Sequence, residues 1–120
     1  VCRVNVFFMT GEAKSQVWAA VDADASLRRA SSLPCNVEVT DVSAHKGAGL
    51  RWLCAHLGVD VADTVAFGDA SNDVTMLEAA GDGVAMANAL PEAVAAANHA
   101  TASCDDSGVA RYLEPILRAL

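Results

Sequence analysis

Residues 64–73 have the sequence TVAFGDASND, in which an apolar run leads directly into a glycine, two aspartates and an asparagine. The apolar residues 64–67 are typical of a buried β-strand, and residues 72–80 are typical of a helix that ends at Gly81. A strand that passes at once into a helix is the building unit of parallel α/β sheets. This stretch therefore decides the fold class, and the segments on both sides of it extend the prediction.

Strands and helices alternate on both sides of this stretch. Residues 49–57 have the leucine spacing of a helix, and Gly58 is its stop signal. Further along the chain, the pattern predicts strands over residues 83–86 and 100–103 and helices over residues 91–98 and 109–120. These segments supply about three strand–helix units, fewer than the five or six strands of a complete doubly wound sheet. We therefore expect an α/β architecture that contains half of a doubly wound parallel sheet.

The first 40 residues have a different pattern. Residues 3–8 are rich in β-branched and aromatic side chains, as strands are, and residues 12–21 have the apolar spacing of a helix. Two short alternating runs, residues 27–31 and residues 35–40, predict a pair of strands separated by a turn. This part is expected to form a small α+β unit.

The composition is that of a soluble globular domain. Of the 120 residues, 53% are hydrophobic, and 15 Asp and Glu residues outnumber 8 Lys and Arg residues. These values exclude the disordered, collagen-like and disulfide-rich classes. The acidic excess argues against nucleic acid or an anionic membrane as a partner. Because no apolar run reaches the roughly 18 residues of a membrane span and no secretory leader is recognisable, we expect a cytoplasmic protein.

Four cysteines are spread along the chain, at Cys2, Cys35, Cys54 and Cys104. They form no C-x-x-C pair and have no histidine at metal-ligand spacing, so neither a zinc site nor a disulfide framework is indicated. We expect buried free thiols at these positions.

Polar residues follow the strand of residues 64–67, where ligands bind in an open parallel sheet. A structural interpretation is available, because Ser71 can cap the next helix, Asp73 can interact with the helix dipole and Asp69 can occupy a turn. The functional interpretation is a site in which carboxylate oxygens bind Mg²⁺ and the amides of a helix N-terminus bind phosphate. Asp69 is then the better ligand candidate, because Asp73 lies on the helix.

Two blocks of sequence around these residues resemble the fourth motif of the haloacid dehalogenase (HAD) superfamily and its surroundings. They are residues 66–73 (AFGDASND), with Met76 and Leu77 after them, and residues 84–89 (VAMANA). Residues 43–47 (SAHKG), followed by Leu50, resemble the third motif, and residues 107–110 (SGVA) resemble the stretch before the last helix. Together these blocks resemble the Cof-type phosphatases of cap class IIB over about residues 37–120.

The resemblance implies a Rossmann-like core with a cap domain, and Mg²⁺-dependent hydrolysis of phosphomonoesters of small metabolites through an aspartyl-phosphate intermediate. Residues 1–36 would be the C-terminal part of the α+β cap, and residues 37–120 would be the C-terminal half of the HAD-like core. The implied partners are a small phosphorylated metabolite and the N-terminal part of the same protein.

The resemblance also implies roles for individual residues. Asp69 would be a Mg²⁺ ligand, Asn72 would contact the substrate phosphate, and Asp73 would support the metal directly or through water. Lys46 would pair with the phosphate and with the nucleophilic carboxylate, so Lys46, Asp69 and Asp73 are the expected catalytic residues. These roles agree with the physics of the reaction, because a cation and a lysine relieve the repulsion between an attacking carboxylate and a phosphoryl group. Without the resemblance, a solvated lysine at a helix start would be the favoured interpretation of Lys46.

One part of the family pattern is not found in its proper context. The first motif is an apolar strand that ends in D-x-D-G-T and supplies the nucleophile and the general acid. Asp22 and Asp24 have the D-x-D-x-S pattern, but they end a segment of helical spacing, and too few residues separate them from Asp69 to hold a cap. We therefore interpret them as solvated acids at the end of a cap helix, and the chain as the C-terminal part of a longer phosphatase that is inactive alone.

Two other interpretations stay open. The chain could belong to a phosphomutase of the same superfamily, or it could be a noncatalytic module that binds a cation or a phosphate. The role of Asn88 is also open, because this residue follows the strand of residues 83–86 and could either approach the site or serve in a turn.

Overall fold

The computed structural model of the chain describes residues 3–7, 10–31 and 33–119. It contains two compact units, Val1–His45 and Lys46–Leu120. The sequence places a domain boundary after residue 36, whereas the structure divides the chain after His45. The difference arises because residues 36–41 form a strand that pairs within the first unit.

The first unit is a three-stranded antiparallel sheet with one helix. Its elements are β1 (Val4–Phe7), α1 (Gly11–Asp22), β2 (Leu27–Ala30) and β3 (Asn36–Asp41), and the strand order is β1-β3-β2. The central strand contributes the fully buried Val37, and helix α1 packs against β2 and β3. The predicted α+β unit and its pair of strands are confirmed, while Phe8, at the end of the predicted first strand, lies outside the described residues.

The second unit is a parallel sheet in which strands and helices alternate. Its strand order is β4-β5-β6, and both pairs of neighbouring strands are parallel. The elements are α2 (Lys46–Leu57), β4 (Val65–Gly68), α3 (Val74–Ala79), β5 (Asp82–Ala85), α4 (Pro91–Ala96), β6 (His99–Ala100) and α5 (Gly108–Arg118), with 3₁₀ turns at Val61–Asp63 and Ser71–Asp73. The predicted α/β class with a parallel sheet is therefore confirmed.

Small side chains let the helices lie close to this sheet. Leu77 of α3 and Val84 of β5 are fully buried, and the rest of the core is largely alanine. Helix α3 packs against β4, β5 and α2, and Tyr112 of α5 contacts the ring of Phe67 edge-on. None of the described helices has the length and apolar character needed to cross a membrane.

Three local expectations are wrong. The strand predicted over residues 100–103 is only His99–Ala100, because the following segment turns back on itself, with the amides of Asp106 and Gly108 donating to the Ser103 carbonyl. Ser71 does not sit at the cap of a helix, because a 3₁₀ turn intervenes and α3 begins at Val74. The third correction concerns the thiols, which are all expected from the sequence to be buried. Cys54 is buried, whereas Cys35 and Cys104 are exposed, and Cys2 lies outside the described residues.

Candidate functional site

The site lies at the carboxyl edge of the parallel sheet, where β4 ends. Asp69 is the residue directly after this strand, and its side chain is exposed. Its main-chain carbonyl accepts a hydrogen bond from the amide of Leu90 at 2.8 Å, so the segment after β5 holds the segment after β4. Parallel strands bring their carboxyl ends to one edge, which explains why residues distant in sequence meet here.

Asp73 is the buried anchor of this edge. Its Oδ2 accepts hydrogen bonds from the amides of Asp69 at 3.0 Å and Ala70 at 3.1 Å, and its Oδ1 pairs with Lys46 Nζ at 2.5 Å. Gly68 allows this close approach, because a Cβ at that position would lie 2.6 Å from the Cβ of Asp73. A single carboxylate therefore shapes the turn that presents Asp69 and also holds a lysine.

The surroundings of Asp73 keep it ionised. Burial by itself would raise its pKa, but the hydrogen bonds from Lys46 and from the amides of Asp69 and Ala70, together with the charge of Lys46, outweigh burial and lower the pKa. The negative charge at this position is thus stable at neutral pH, and it fixes the ammonium group of Lys46 beside it.

Lys46 is the first residue of α2, and a close contact between two helices positions it. The amide of Gly47 donates to Thr75 Oγ1 at 3.2 Å, and a Cβ at Gly47 would lie 2.2 Å from the Thr75 carbonyl oxygen. About half of the Lys46 side chain is exposed, so its ammonium group pairs with Asp73 on one side and faces solvent on the other. A lysine in this state can still contact an anionic ligand.

Asn72 lies in the 3₁₀ turn between Asp69 and Asp73. Its Oδ1 is buried and has no hydrogen-bond partner within the described part of the chain. A buried polar atom without a partner costs about 1 to 3 kcal/mol, so such atoms are usually satisfied by water or by a ligand. Asn72 Oδ1 is therefore a buried acceptor in this turn that the described residues leave without a partner.

The carboxylates of the site differ in their capacity for a cation. Both oxygens of Asp73 already accept hydrogen bonds, whereas Asp69, among the described residues, accepts through Oδ2 alone, from Asn88 Nδ2 at 3.3 Å. Within the described residues, no group of three or more His, Cys, Asp or Glu side chains could hold a metal ion. Mg²⁺ commonly binds to one or two carboxylates and keeps several waters, so Asp69 alone fits that chemistry, and Asp73 fits an indirect role.

The structure joins Lys46, Asp73 and Asp69 by hydrogen bonds and places Asn72 in the same turn. The two alternative acids belong to the first unit and have partners there. Asp22 receives two hydrogen bonds from the Arg29 guanidinium, at 2.7 and 2.9 Å, and Asp24 accepts from the amide and hydroxyl of Ser26. These hydrogen bonds lower the pKa of both carboxyl groups.

Sequence reasoning did not find the contact between Asn88 and Asp69. The only signal available was the position of Asn88 just beyond a buried strand, which is shared by many turn residues. Which strand ends lie side by side is set by the strand order, and the strand order does not follow from local spacing.

A comparison with known proteins identifies the family. The sequence model of the haloacid dehalogenase-like hydrolases matches residues 3–113. The chain belongs to this family. Among related HAD proteins, the HMP-PP phosphatase of Cronobacter sakazakii is 45% identical over 85 residues, a match that covers 69% of this chain and 31% of the relative. The phosphatase YwpJ of Bacillus subtilis is 37% identical over 100 residues, covering 83% of this chain and 35% of the relative.

Solved HAD structures agree with this assignment. A haloacid dehalogenase-like hydrolase from B. subtilis superposes with a TM-score of 0.89 at 34% identity, covering 94% of this chain and 40% of that chain. This HAD chain spans about a third of the length of the curated relatives it matches.

Proposed function

We propose that this chain carries the cation- and phosphate-binding part of a Mg²⁺-dependent phosphatase that hydrolyses phosphomonoesters of small metabolites through an aspartyl-phosphate intermediate. The observation that carries the proposal is the hydrogen-bonded series Lys46–Asp73–Asp69, which holds a lysine and an open carboxylate oxygen at one edge of the sheet. The names of the relatives support the reaction class, because both proteins described above are called phosphatases.

In this proposal Asp69 holds the cation through Oδ1, the oxygen that no described residue occupies. Bound Mg²⁺ would neutralise charge on the phosphate oxygens. Asp73 acts indirectly, since its oxygens orient the amides of Asp69 and Ala70 and pair with Lys46. The cation therefore depends on Asp73 for the position of its ligand and not for a bond.

Lys46 and Asn72 bind the phosphate in this proposal. The half-exposed ammonium group of Lys46 can contact a phosphate oxygen while Asp73 holds it in place, and this contact lowers the repulsion felt by an attacking carboxylate. The Nδ2 group of Asn72, in the same turn, donates to a phosphate oxygen in this proposal, because its buried Oδ1 is an acceptor and cannot bond to another acceptor. Both groups act by position and electrostatics, as phosphoryl transfer requires.

The nucleophile is proposed to lie outside this chain. Asp22 and Asp24 accept hydrogen bonds within the first unit, and neither follows a buried strand. In the described part of the second unit, β4 pairs only with β5, so its other edge can accept a further strand. We propose that the first unit, Val1–His45, is the end of a Cof-type cap, that the second unit, Lys46–Leu120, belongs to the second half of the core, and that the rest of a cytoplasmic protein supplies a strand and the nucleophilic carboxylate.

The likeness to a solved sugar phosphatase supports the assignment to cap class IIB. The protein BT4131, described as a HAD subclass IIB sugar phosphatase, superposes with a TM-score of 0.84 at 28% identity, covering 97% of this chain and 43% of that chain. The superposition includes the first unit, which is the part proposed to belong to the cap. The substrate itself is proposed only as a class, a small phosphorylated metabolite.

The test compares Mg²⁺-dependent phosphate release from an aryl phosphate by this chain and by a longer protein that contains it. We expect turnover only in the longer protein, and we expect Asp69→Asn to abolish it. Asp63→Asn is the matched control, because Asp63 is an exposed acid in a 3₁₀ turn of the same unit.

Three outcomes would contradict the proposal. Turnover by the 120-residue chain alone would place a nucleophile among these residues, with Asp22 and Asp24 as the first suspects. Cation binding through Asp69 without turnover in the longer protein would indicate a noncatalytic binding module. Transfer of the phosphate to a second hydroxyl instead of water would indicate a phosphomutase.

A further inference from the structure

Asn88 connects the segments that follow three neighbouring strands. It lies just beyond β5, its Nδ2 donates to Asp69 Oδ2 at 3.3 Å, and its Oδ1 accepts from the amide of Cys104 at 3.1 Å. Asp69 follows β4, and Cys104 belongs to the segment after β6. One short side chain therefore bridges the carboxyl ends of the whole described parallel sheet.

The chemistry of its two partners determines the orientation of the Asn88 amide. The main-chain amide of Cys104 can only donate, and an ionised Asp69 carboxylate can only accept. The observed orientation satisfies both partners, whereas a flipped amide would set donor against donor and acceptor against acceptor. The NH₂ group of Asn88 is thereby directed at Asp69.

The segment that holds Asn88 from the other side is itself braced. Ser103 Oγ donates to Asp106 Oδ2 at 2.7 Å, and the amides of Asp106 and Gly108 donate to the Ser103 carbonyl. Cys104 lies inside this hydrogen-bonded turn, so its amide is a fixed donor. The Cys104 amide therefore fixes Oδ1 of Asn88, and this leaves Nδ2 of the same side chain directed at Asp69.

Asp69 has little freedom left once Asn88 is in place. Its amide donates to Asp73, and its carbonyl accepts from Leu90, so the main chain is held on both sides. The remaining freedom is rotation of the exposed side chain about χ1 and χ2, and the hydrogen bond from Asn88 to Oδ2 restrains that rotation. The oxygen left for a ligand, Oδ1, then has one preferred direction.

We propose that Asn88 is a positioning residue that orients the Asp69 carboxylate toward a divalent cation and couples this orientation to the turn at residues 103–107. The inference rests on the proposed role of Asp69 as the cation ligand. A carboxylate already restrained by a charge-assisted hydrogen bond loses less side-chain freedom when it binds a cation. Partners of this kind commonly contribute about 10- to 100-fold to metal affinity.

The experiment titrates the 120-residue chain with Mg²⁺ and follows the amide NMR signals, a method that detects weak binding and needs no turnover. We expect Asn88→Ala to raise the apparent Kd for Mg²⁺ about tenfold. The matched control is Asn98→Ala, since Asn98 Oδ1 accepts from the amide of Gly83 at 2.8 Å at the opposite end of β5. This control should leave the Kd unchanged while it lowers the unfolding temperature.

A second readout monitors the hydrogen bond from the Cys104 amide to Asn88 Oδ1 without any metal. Hydrogen exchange of the Cys104 amide should be faster in Asn88→Ala than in the unmodified chain, because its acceptor is removed. Asn88→Asp keeps an oxygen for this amide but loses the donor to Asp69, so it should retain the slow exchange.

The outcomes separate this inference from the proposed function. No Mg²⁺-dependent shift at Asp69, or shifts that persist in Asp69→Asn, would overturn the cation role of Asp69 and the inference with it. Binding that requires Asp69 but is equally tight in Asn88→Ala would overturn only the inference. Equal weakening by Asn88→Ala and Asn98→Ala would also overturn it, because the effect would then come from general destabilisation.

Discussion

Lys46 and Asp73 form an ion pair in which Lys46 Nζ lies 2.5 Å from Asp73 Oδ1, although the two residues are 27 positions apart in the chain. Lys46 begins α2 and Asp73 ends the 3₁₀ turn after β4, so the pair links the two segments that resemble separate motifs of the HAD family. The other oxygen of Asp73 holds the turn that presents Asp69. Loss of this carboxylate therefore affects the fold and the site together.

We predict that Asp73→Asn destabilises the chain by about 1 to 3 kcal/mol, because one amide cannot accept from both main-chain donors and also from an ammonium group. Urea unfolding measures the change. Asp63→Asn, an exposed acid in the same unit, should shift the midpoint little. Equal midpoints for Asp73→Asn and the unmodified chain would show that the hydrogen bonds of Asp73 contribute nothing to stability.

The contribution of Asp73 should depend on pH. Its pKa in the folded chain lies below the usual value of 3.8, so the carboxylate stabilises the fold fully above that usual value. The stabilisation is lost as the pH falls through the lowered pKa of the folded state. We expect the difference in unfolding free energy between the unmodified chain and Asp73→Asn to shrink on acidification, measured by denaturant unfolding over a pH series. A difference that grew in acid would contradict the assignment.

Gly47→Ala should disturb the contact that positions Lys46. A Cβ at Gly47 would lie 2.2 Å from the Thr75 carbonyl oxygen, so α2 and α3 must separate. We predict a loss of about 1 to 3 kcal/mol, measured by thermal or urea unfolding.

Gly49→Ala is the matched control for that prediction. Gly49 lies in the same helix, and a Cβ there meets no atom within 4 Å. The control should stabilise the chain by about 0.5 to 1 kcal/mol, because alanine favours a helix over glycine. If both variants changed stability in the same direction, the close approach at Gly47 would not be the cause.

The chain has a single tyrosine, so phenolate absorbance reports Tyr112 alone. A hydrogen bond of 2.7 Å to Asp82 Oδ2, with burial and the negative charge of Asp82, raises the pKa of Tyr112 to about 12. Because the pKa is raised on folding, the neutral phenol stabilises the fold below the usual value of 10.0, and this stability is lost as the pH rises toward 12. A spectroscopic titration of the Tyr112 phenol should give a midpoint well above 10.0 in the unmodified chain and a lower midpoint in Asp82→Asn. Equal midpoints in the two proteins would refute this interpretation.

The order of strands and helices was predictable because it depends on local patterns. The apolar run before Gly68 predicted β4, and the repeated alternation predicted a parallel sheet. The ends of elements were less predictable. The polar segment after Ala100 forms a hydrogen-bonded turn in place of a longer strand, and a 3₁₀ turn precedes α3, because side-chain and main-chain contacts formed only in the folded chain decide these boundaries.

The position of Asp69 at a strand end, the presence of Lys46 at a helix start and the membership of the HAD family all followed from the sequence by itself. These properties depend on short patterns of contiguous residues, which can be recognised without knowing which distant residues become neighbours in the fold. Only the tertiary structure decided that both oxygens of Asp73 accept hydrogen bonds, from Lys46 and from two main-chain amides. It also decided that Asn88 bridges Asp69 and Cys104. Such pairings depend on which strand ends become neighbours and how closely two helices approach, and these distances arise when the sheet is assembled.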